Sequence, residues 1–194
     1  VNVHPSFLPD LRGADPVHGA LLFGRDSGAT CHVMDKDFDS GDIIAQTRIP
    51  YHPNLDAPLL YQLCFKAEVE MFRQALARGF APTYPQKLSG GEVHYSFKPD
   101  DLIIDFSETQ AIRRRVLAFA NRNKLARIRR YGNEVRILRA DILPHGYMEK
   151  AFSGAAENEV VTVCEQSLVI RKKDGFLRLT CHEDDAPIAA GEKL

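Results

Sequence analysis

The 194-residue sequence has no apolar run near the ~20 residues a helix needs to cross a bilayer, which excludes a helical membrane span. It has almost no net charge. Against 25 basic residues stand 26 acidic ones, so whole-chain charge selects no class of partner. Cysteine is sparse: Cys31, Cys64, Cys164 and Cys181 are scattered, with no Cys-x-x-Cys pair. That argues against a disulfide or zinc framework and suits reduced thiols in a cytoplasmic protein. The histidines (His4, His18, His32, His52, His94, His145, His182) show no paired ligand spacing, so no metal is expected. There is no secretory leader pattern, internal repeat or low-complexity segment, and no Gly-x-Ser-x-Gly elbow for a serine nucleophile. What remains is an ordinary globular chain: 44% apolar residues, long enough for one domain or two small ones.

The informative stretch is at the start. Asn2 and His4 stand two apart in an apolar alternation, so a strand puts both side chains on one face. Pro5 and Pro9 stop that strand, where a pocket can open. Asp39 lies far along the chain in a turn-rich Asp-Ser-Gly-Asp run. Amide, imidazole and carboxylate are the minimum set for stabilising an oxyanion and moving a proton. Singly, each has a plainer reading: a local hydrogen bonder, a strand histidine, a turn former.

Elements follow from periodicity and punctuation. Residues 1–4, 30–34 and 43–49 read as strands, the last two paired around the Asp39 turn. A short helix is expected over 16–23, between Pro16 and Gly24. A long one is expected over 56–78, with Asp56 as cap and Leu60, Leu63, Cys64, Ala67, Met71, Phe72, Ala75 and Leu76 as core stripe. The breaker-rich 82–91 is a linker, placing a domain boundary near Gly91. Beyond it, Ser107-Glu108-Thr109-Gln110 has a capping-box pattern, and a helix follows with Ile112, Val116 and Phe119 on one face. Short strands then run over 126–131, 134–143, 160–164, 168–171 and 176–181, with tight turns at Gly132-Asn133 and Asp174-Gly175. One helix and about five strands suggest a small barrel of the oligonucleotide/oligosaccharide-binding (OB) type.

The run Asn-x-His-Pro-Ser-x-Leu-Pro, then Arg-Gly, Gly-x-Thr-x-His and Asp-x-Gly-x-Ile-x-x-Gln resembles the 10-formyltetrahydrofolate-dependent formyltransferases. The residues are Asn2, His4, Pro5, Ser6, Leu8, Pro9, Arg12, Gly13, Gly28, Thr30, His32, Asp39, Gly41, Ile43 and Gln46. The family includes methionyl-tRNA, glycinamide ribonucleotide and sugar N-formyltransferases. Four pieces in the family's order make a strong signal, although they cover only about the first quarter of the chain.

The resemblance implies an α/β fold. Residues 1–91 would be the C-terminal half of a Rossmann-like catalytic domain, and residues 92–194 a small β-rich, OB-like domain. Since the chain opens mid-strand without Met, a preceding segment of the same polypeptide is expected. The resemblance makes Asn2, His4 and Asp39 catalytic in formyl transfer to a primary amine. It puts His32 and the loop with Met34, Asp35, Phe38, Ser40 and Gly41 at the folate co-substrate, and Ser6, Arg12 and Gly13 at the acceptor. Ser6 also suits a hydrogen bond within its own turn, and Arg12 a surface salt bridge.

The acceptor class stays open at this level. Arg113, Arg114, Arg115, Arg122, Lys124, Arg127, Arg129, Arg130, Arg136 and Arg139 form a stripe that could track tRNA phosphates or simply be a solvated face. His4-Pro5-Ser6 and His32 look more like the enzymes that use small molecules. A nucleotide-linked amino sugar is therefore the leading acceptor. Methionyl-tRNA formyltransferase is the first alternative, and a non-catalytic folate- or ligand-binding relative the second. A homodimer is compatible with all of these readings.

Overall fold

The computed structural model describes residues 1–121, 123–144, 146–186 and 188–194. Arg122 and His145, both named above, lie outside the described residues. The chain divides into two compact units, Val1–Phe97 and Lys98–Leu194.

In the first unit, β1 (Asn2–His4), β2 (Ser27–His32) and β3 (Ile43–Ile49) form an antiparallel sheet in that order. Helix α1 (Pro16–Phe23) begins at proline and ends on Gly24, which adopts φ 62°. Helix α2 (Ala57–Ala77) is capped by Asp56, whose carboxylate accepts from the Leu59 amide at 2.9 Å. β2 starts three residues earlier than its alternation suggests and is buried along its whole length, because α2 covers one face and α1 and the 5–11 segment fill the other. Its polar residues are kept in place by hydrogen bonds. Thr30 Oγ1 donates to Ser6 O at 2.7 Å and accepts from the Leu8 amide at 3.2 Å. Gln46 Nε2 donates to Leu8 O at 2.7 Å. Two motif residues thus stitch the turn that follows β1 onto the sheet.

The α2 stripe is narrower than its spacing implies. Leu60, Cys64, Met71 and Ala75 are buried, while Leu63, Phe72 and Leu76 are exposed. A three-stranded sheet spans less than the helix's apolar arc, so only one edge of that arc finds cover. The linker also differs. Residues 92–97 pack in the first unit: His94 bridges Arg12, and the Tyr95 amide donates to Arg12 O at 2.9 Å. Backbone pairing draws the division on to residue 97.

The second unit is a six-stranded antiparallel sheet with helix α3 (Thr109–Ala118) against it. Its strands are β4 (Ala120–Asn121), β5 (Lys124–Arg130), β6 (Asn133–Leu143), β7 (Val160–Cys164), β8 (Ser167–Lys172) and β9 (Gly175–Cys181), in the order β4-β5-β6-β9-β8-β7. A short α4 (Tyr147–Ala151) lies between β6 and β7. Ile112, Val116 and Phe119 are buried as the helical spacing requires. The capping box does not form: Ser107 Oγ donates to Asp105 at 2.8 Å, and Thr109 Oγ1 donates to Asp174 instead. Both hydroxyls found carboxylates outside the helix. The first hairpin turns on Tyr131-Gly132, one residue before the expected pair, since both positions take positive φ (46° and 81°) as a tight two-residue loop demands.

Candidate active site

Strand pairing builds the first half of the site. Asn2 faces His32 and His4 faces Thr30 across the β1–β2 ladder. The β2–β3 register shifts between Cys31 and His32. The loop after β2 closes when the Val33 amide donates to Asp42 O at 2.9 Å. That closure swings Asp39 back over the strand end. Asp39 sits at φ 51°, in the left-handed region, which aspartate tolerates better than most residues.

The geometry fixes protonation at each ring. His4 Nε2 lies 2.9 Å from Leu11 O, and a carbonyl only accepts, so Nε2 carries a proton. His4 Nδ1 therefore faces Asp39 Oδ2, at 3.7 Å. His32 Nδ1 lies 2.8 Å from Val33 O and is protonated by the same argument. In the neutral ring Nε2 is then an acceptor, with Asn2 Nδ2 at 3.3 Å. Asn2 Nδ2 also donates to Asp39 Oδ1 at 3.4 Å, and the Gly13 amide to Asp39 Oδ2 at 3.2 Å. One carboxylate thus gathers an amide, a backbone N–H and an imidazole.

Burial pushes the pKa of His32, 2% exposed, below the ordinary value of 6.5, against smaller opposing contributions from the Val33 carbonyl and Asp39. The folded ring binds its proton less readily than the unfolded one. Its contribution to stability is whole above 6.5 and is lost as pH falls through the folded value. The urea midpoint should drop between about pH 7.5 and about pH 5, and His32→Gln should flatten that drop. An equal drop in the variant would count against this origin.

A cavity of about 570 Å³ opens beside these groups, lined by Asn2, His4, Arg12, Gly13, Phe38, Asp39 and the segment 94–96. Not every position expected at a ligand reaches it. Ser6 is fully buried and its hydroxyl donates to Asp10 O at 2.9 Å, inside the turn. Gly41 backs onto Val33, Ser40 Oγ donates to Asp37 O at 2.9 Å, and Met34 and Asp35 point to solvent. Of the six positions expected at folate, Phe38 alone lines the cavity; it is 91% exposed. His94, Tyr95 and Ser96 were not anticipated. Their alternating run Val93-His94-Tyr95-Ser96-Phe97 was a strand-like signal, hidden by its position past the linker.

Arg12 is 9% exposed. Its Nη2 donates to Gln86 Oε1 at 2.7 Å, and its buried Nε has no partner. In the second unit at least half of the basic stripe meets carboxylates. Arg127 and Arg129 meet Glu134, Arg130 meets Glu192, Arg136 meets Asp184 and Asp185, and Arg139 meets Asp141. Among the described residues no group of three His, Cys, Asp or Glu side chains is placed to hold a metal ion. No described helix is long and apolar enough to cross a membrane.

Residues 1–76 match the family model described as formyl transferase. The methionyl-tRNA formyltransferase of Roseiflexus sp. (strain RS-1) is 36% identical over 112 residues, 56% of this chain and 34% of that protein. That of Ehrlichia canis (strain Jake) is 31% identical over 179 residues, 91% of this chain and 55% of that protein. The chain therefore spans between about a third and about half the length of these relatives. In fold it is similar to the N-formyltransferase of Helicobacter canadensis, solved with folinic acid and dTDP-3-aminofucose. The TM-score is 0.73 at 19% identity, covering 93% of this chain and 65% of that one. HypX from Aquifex aeolicus in complex with tetrahydrofolic acid gives 0.63 at 22% identity, over 92% and 31%. The fold is α/β, and over residues 1–76 the chain matches the formyl transferase family model.

Proposed function

We propose that the protein moves a formyl group from 10-formyltetrahydrofolate to the primary amine of a small molecule, with Asn2, His4 and Asp39 as its catalytic residues. The observation that carries this is their meeting at one cavity wall, through contacts of 3.4 Å (Asn2–Asp39) and 3.7 Å (His4–Asp39). The folate co-substrate supplies the formyl group on a nitrogen that leaves once the amine has added. Asn2 gives up its 3.4 Å contact with Asp39 when substrate binds and directs that N–H at the formyl oxygen as negative charge grows there. His4, held through Nε2 by Leu11 O, presents Nδ1 to the same oxygen, and when protonated adds a charge-assisted donor. Asp39 accepts the proton that the attacking amine sheds, directly or through water. The exposed face of Phe38 at the cavity suits a flat ring, which supports the folate end of this reading.

The acceptor carries an anionic group. Arg12 is a buried cation whose side-chain partner is a neutral amide, and a phosphate or carboxylate on the acceptor supplies its counter-charge, with Gly13 beside it. A nucleotide-linked amino sugar meets that description. The second reading, methionyl-tRNA formyltransferase, is favoured by the names of the relatives, but the carboxylates along the stripe weaken its phosphate track. We read the second unit as OB-like, on its six antiparallel strands and single packed helix. We place the protein in the cytoplasm, consistent with four free cysteines. The test offers the full-length protein 10-formyltetrahydrofolate with either a dTDP-linked amino sugar or initiator methionyl-tRNA. Formylation of the sugar is expected. Formylation of the tRNA alone would replace the acceptor assignment, and transfer to neither would remove both.

A further inference from the structure

We propose that Gln86 is a positioning residue for this site, acting through the backbone of Asp39; the inference rests on the catalytic reading of that aspartate. Gln86 lies in the former linker, where residues 81–91 are otherwise exposed, yet it is half-buried. Its amide is spent in three directions. Nε2 donates to Asp39 O at 2.8 Å and to Gly41 O at 2.7 Å. Oε1 accepts from Arg12 Nη2 at 2.7 Å, and that bond sets which way the amide faces.

The two donated bonds bracket the turn at Asp39. Asp39 has φ 51°, and a non-glycine residue there carries strain of about 1 kcal/mol or more. The carboxylate meets Asn2, His4 and the Gly13 amide only while that backbone conformation persists. Arg12, next to Gly13, is tied to the same glutamine. Gln86 therefore holds the two segments that converge on the carboxylate, without touching the cavity itself.

Two full-length variants separate this role from simple packing. Gln86→Met keeps the length and removes all three hydrogen bonds. Gln86→Glu keeps the acceptor for Arg12 but loses both donors and sets a negative charge against two carbonyls. Both should lower kcat for formyl transfer between about tenfold and about a hundredfold, with KM for the acceptor within about threefold of the parent, since a displacement of about 1 Å has effects of this size. Both should also speed hydrogen exchange of the Gly13 amide, whose acceptor is the Asp39 carboxylate. Parent-like exchange in both variants overturns the proposal, and so does a Gln86→Glu protein with full kcat. The exchange measurement needs no activity. If the parent protein transfers no formyl group, the function is refuted while the exchange result still decides the positioning.

Discussion

Asp39→Asn lowers formyl transfer by about a thousandfold, roughly 4 kcal/mol of barrier, while leaving the fold intact. Asparagine is the other residue that readily takes a left-handed conformation, so the turn at φ 51° is not disturbed. Its carbonyl oxygen still accepts from the Gly13 amide, now 3.2 Å from the carboxylate. Two things are lost: the negative charge facing His4 Nδ1, and a base to take the amine's proton. The first leaves His4 Nδ1 without the carboxylate beside it, and the second removes proton acceptance altogether. Rate and urea midpoint are measured together on the full-length protein. A rate within threefold of the parent, in a protein of parental stability, would remove Asp39 from the mechanism.

Gly41→Ala destabilises the first unit by about 3 kcal/mol. A Cβ there would stand 1.9 Å from Val33 O and 2.7 Å from Val33 C, both backbone atoms. Val33 cannot easily move aside, because its own amide closes the loop onto Asp42. Alanine must break that closure or push β2 from β3, and either displaces Asp39, two residues away. The urea midpoint and the transfer rate should fall together. Gly91→Ala is the control: the nearest atom to its Cβ is a flexible serine oxygen at 4.0 Å, so stability should change by no more than about 0.5 kcal/mol. Equal stability of the two variants would refute the close approach. The same crowding explains Gly28, whose Cβ would meet Thr47 O at 2.2 Å. The motif glycines at 28 and 41 are there because strands and loop pass too close for a side chain, and Gly41 needs no folate contact to explain it.

Much of the first unit was legible along the chain. Pro16 and Gly24 bounded a helix because both act locally: one pre-sets φ, the other accepts a positive φ. Asp56 marked the start of α2 because a cap bonds three residues ahead. The two-residue spacing of Asn2 and His4 put them on one face because strand geometry alternates. Contacts between distant segments were less legible. Ser6 makes the turn bond that was one of its two readings, while Thr30 and Gln46 turned out to be the stitches of that turn. Leu63, Phe72 and Leu76 matched a core stripe, but helical spacing does not reveal how wide the opposing sheet is. Ordered residues 92–97 were read past a boundary that backbone pairing to Arg12 draws elsewhere.

The sequence by itself determined helices α1, α2 and α3, the strand pair around the Asp39 turn and the identity of the amide, imidazole and carboxylate. Those depend on backbone preferences and on chemistry carried within a few residues. Only the tertiary structure decided which nitrogen of His4 faces Asp39, that His32 accepts from Asn2, and that Gln86 ties Asp39 to Arg12. Each of these is a hydrogen bond between segments at least seven residues apart, and its direction is set by which carbonyl happens to lie opposite.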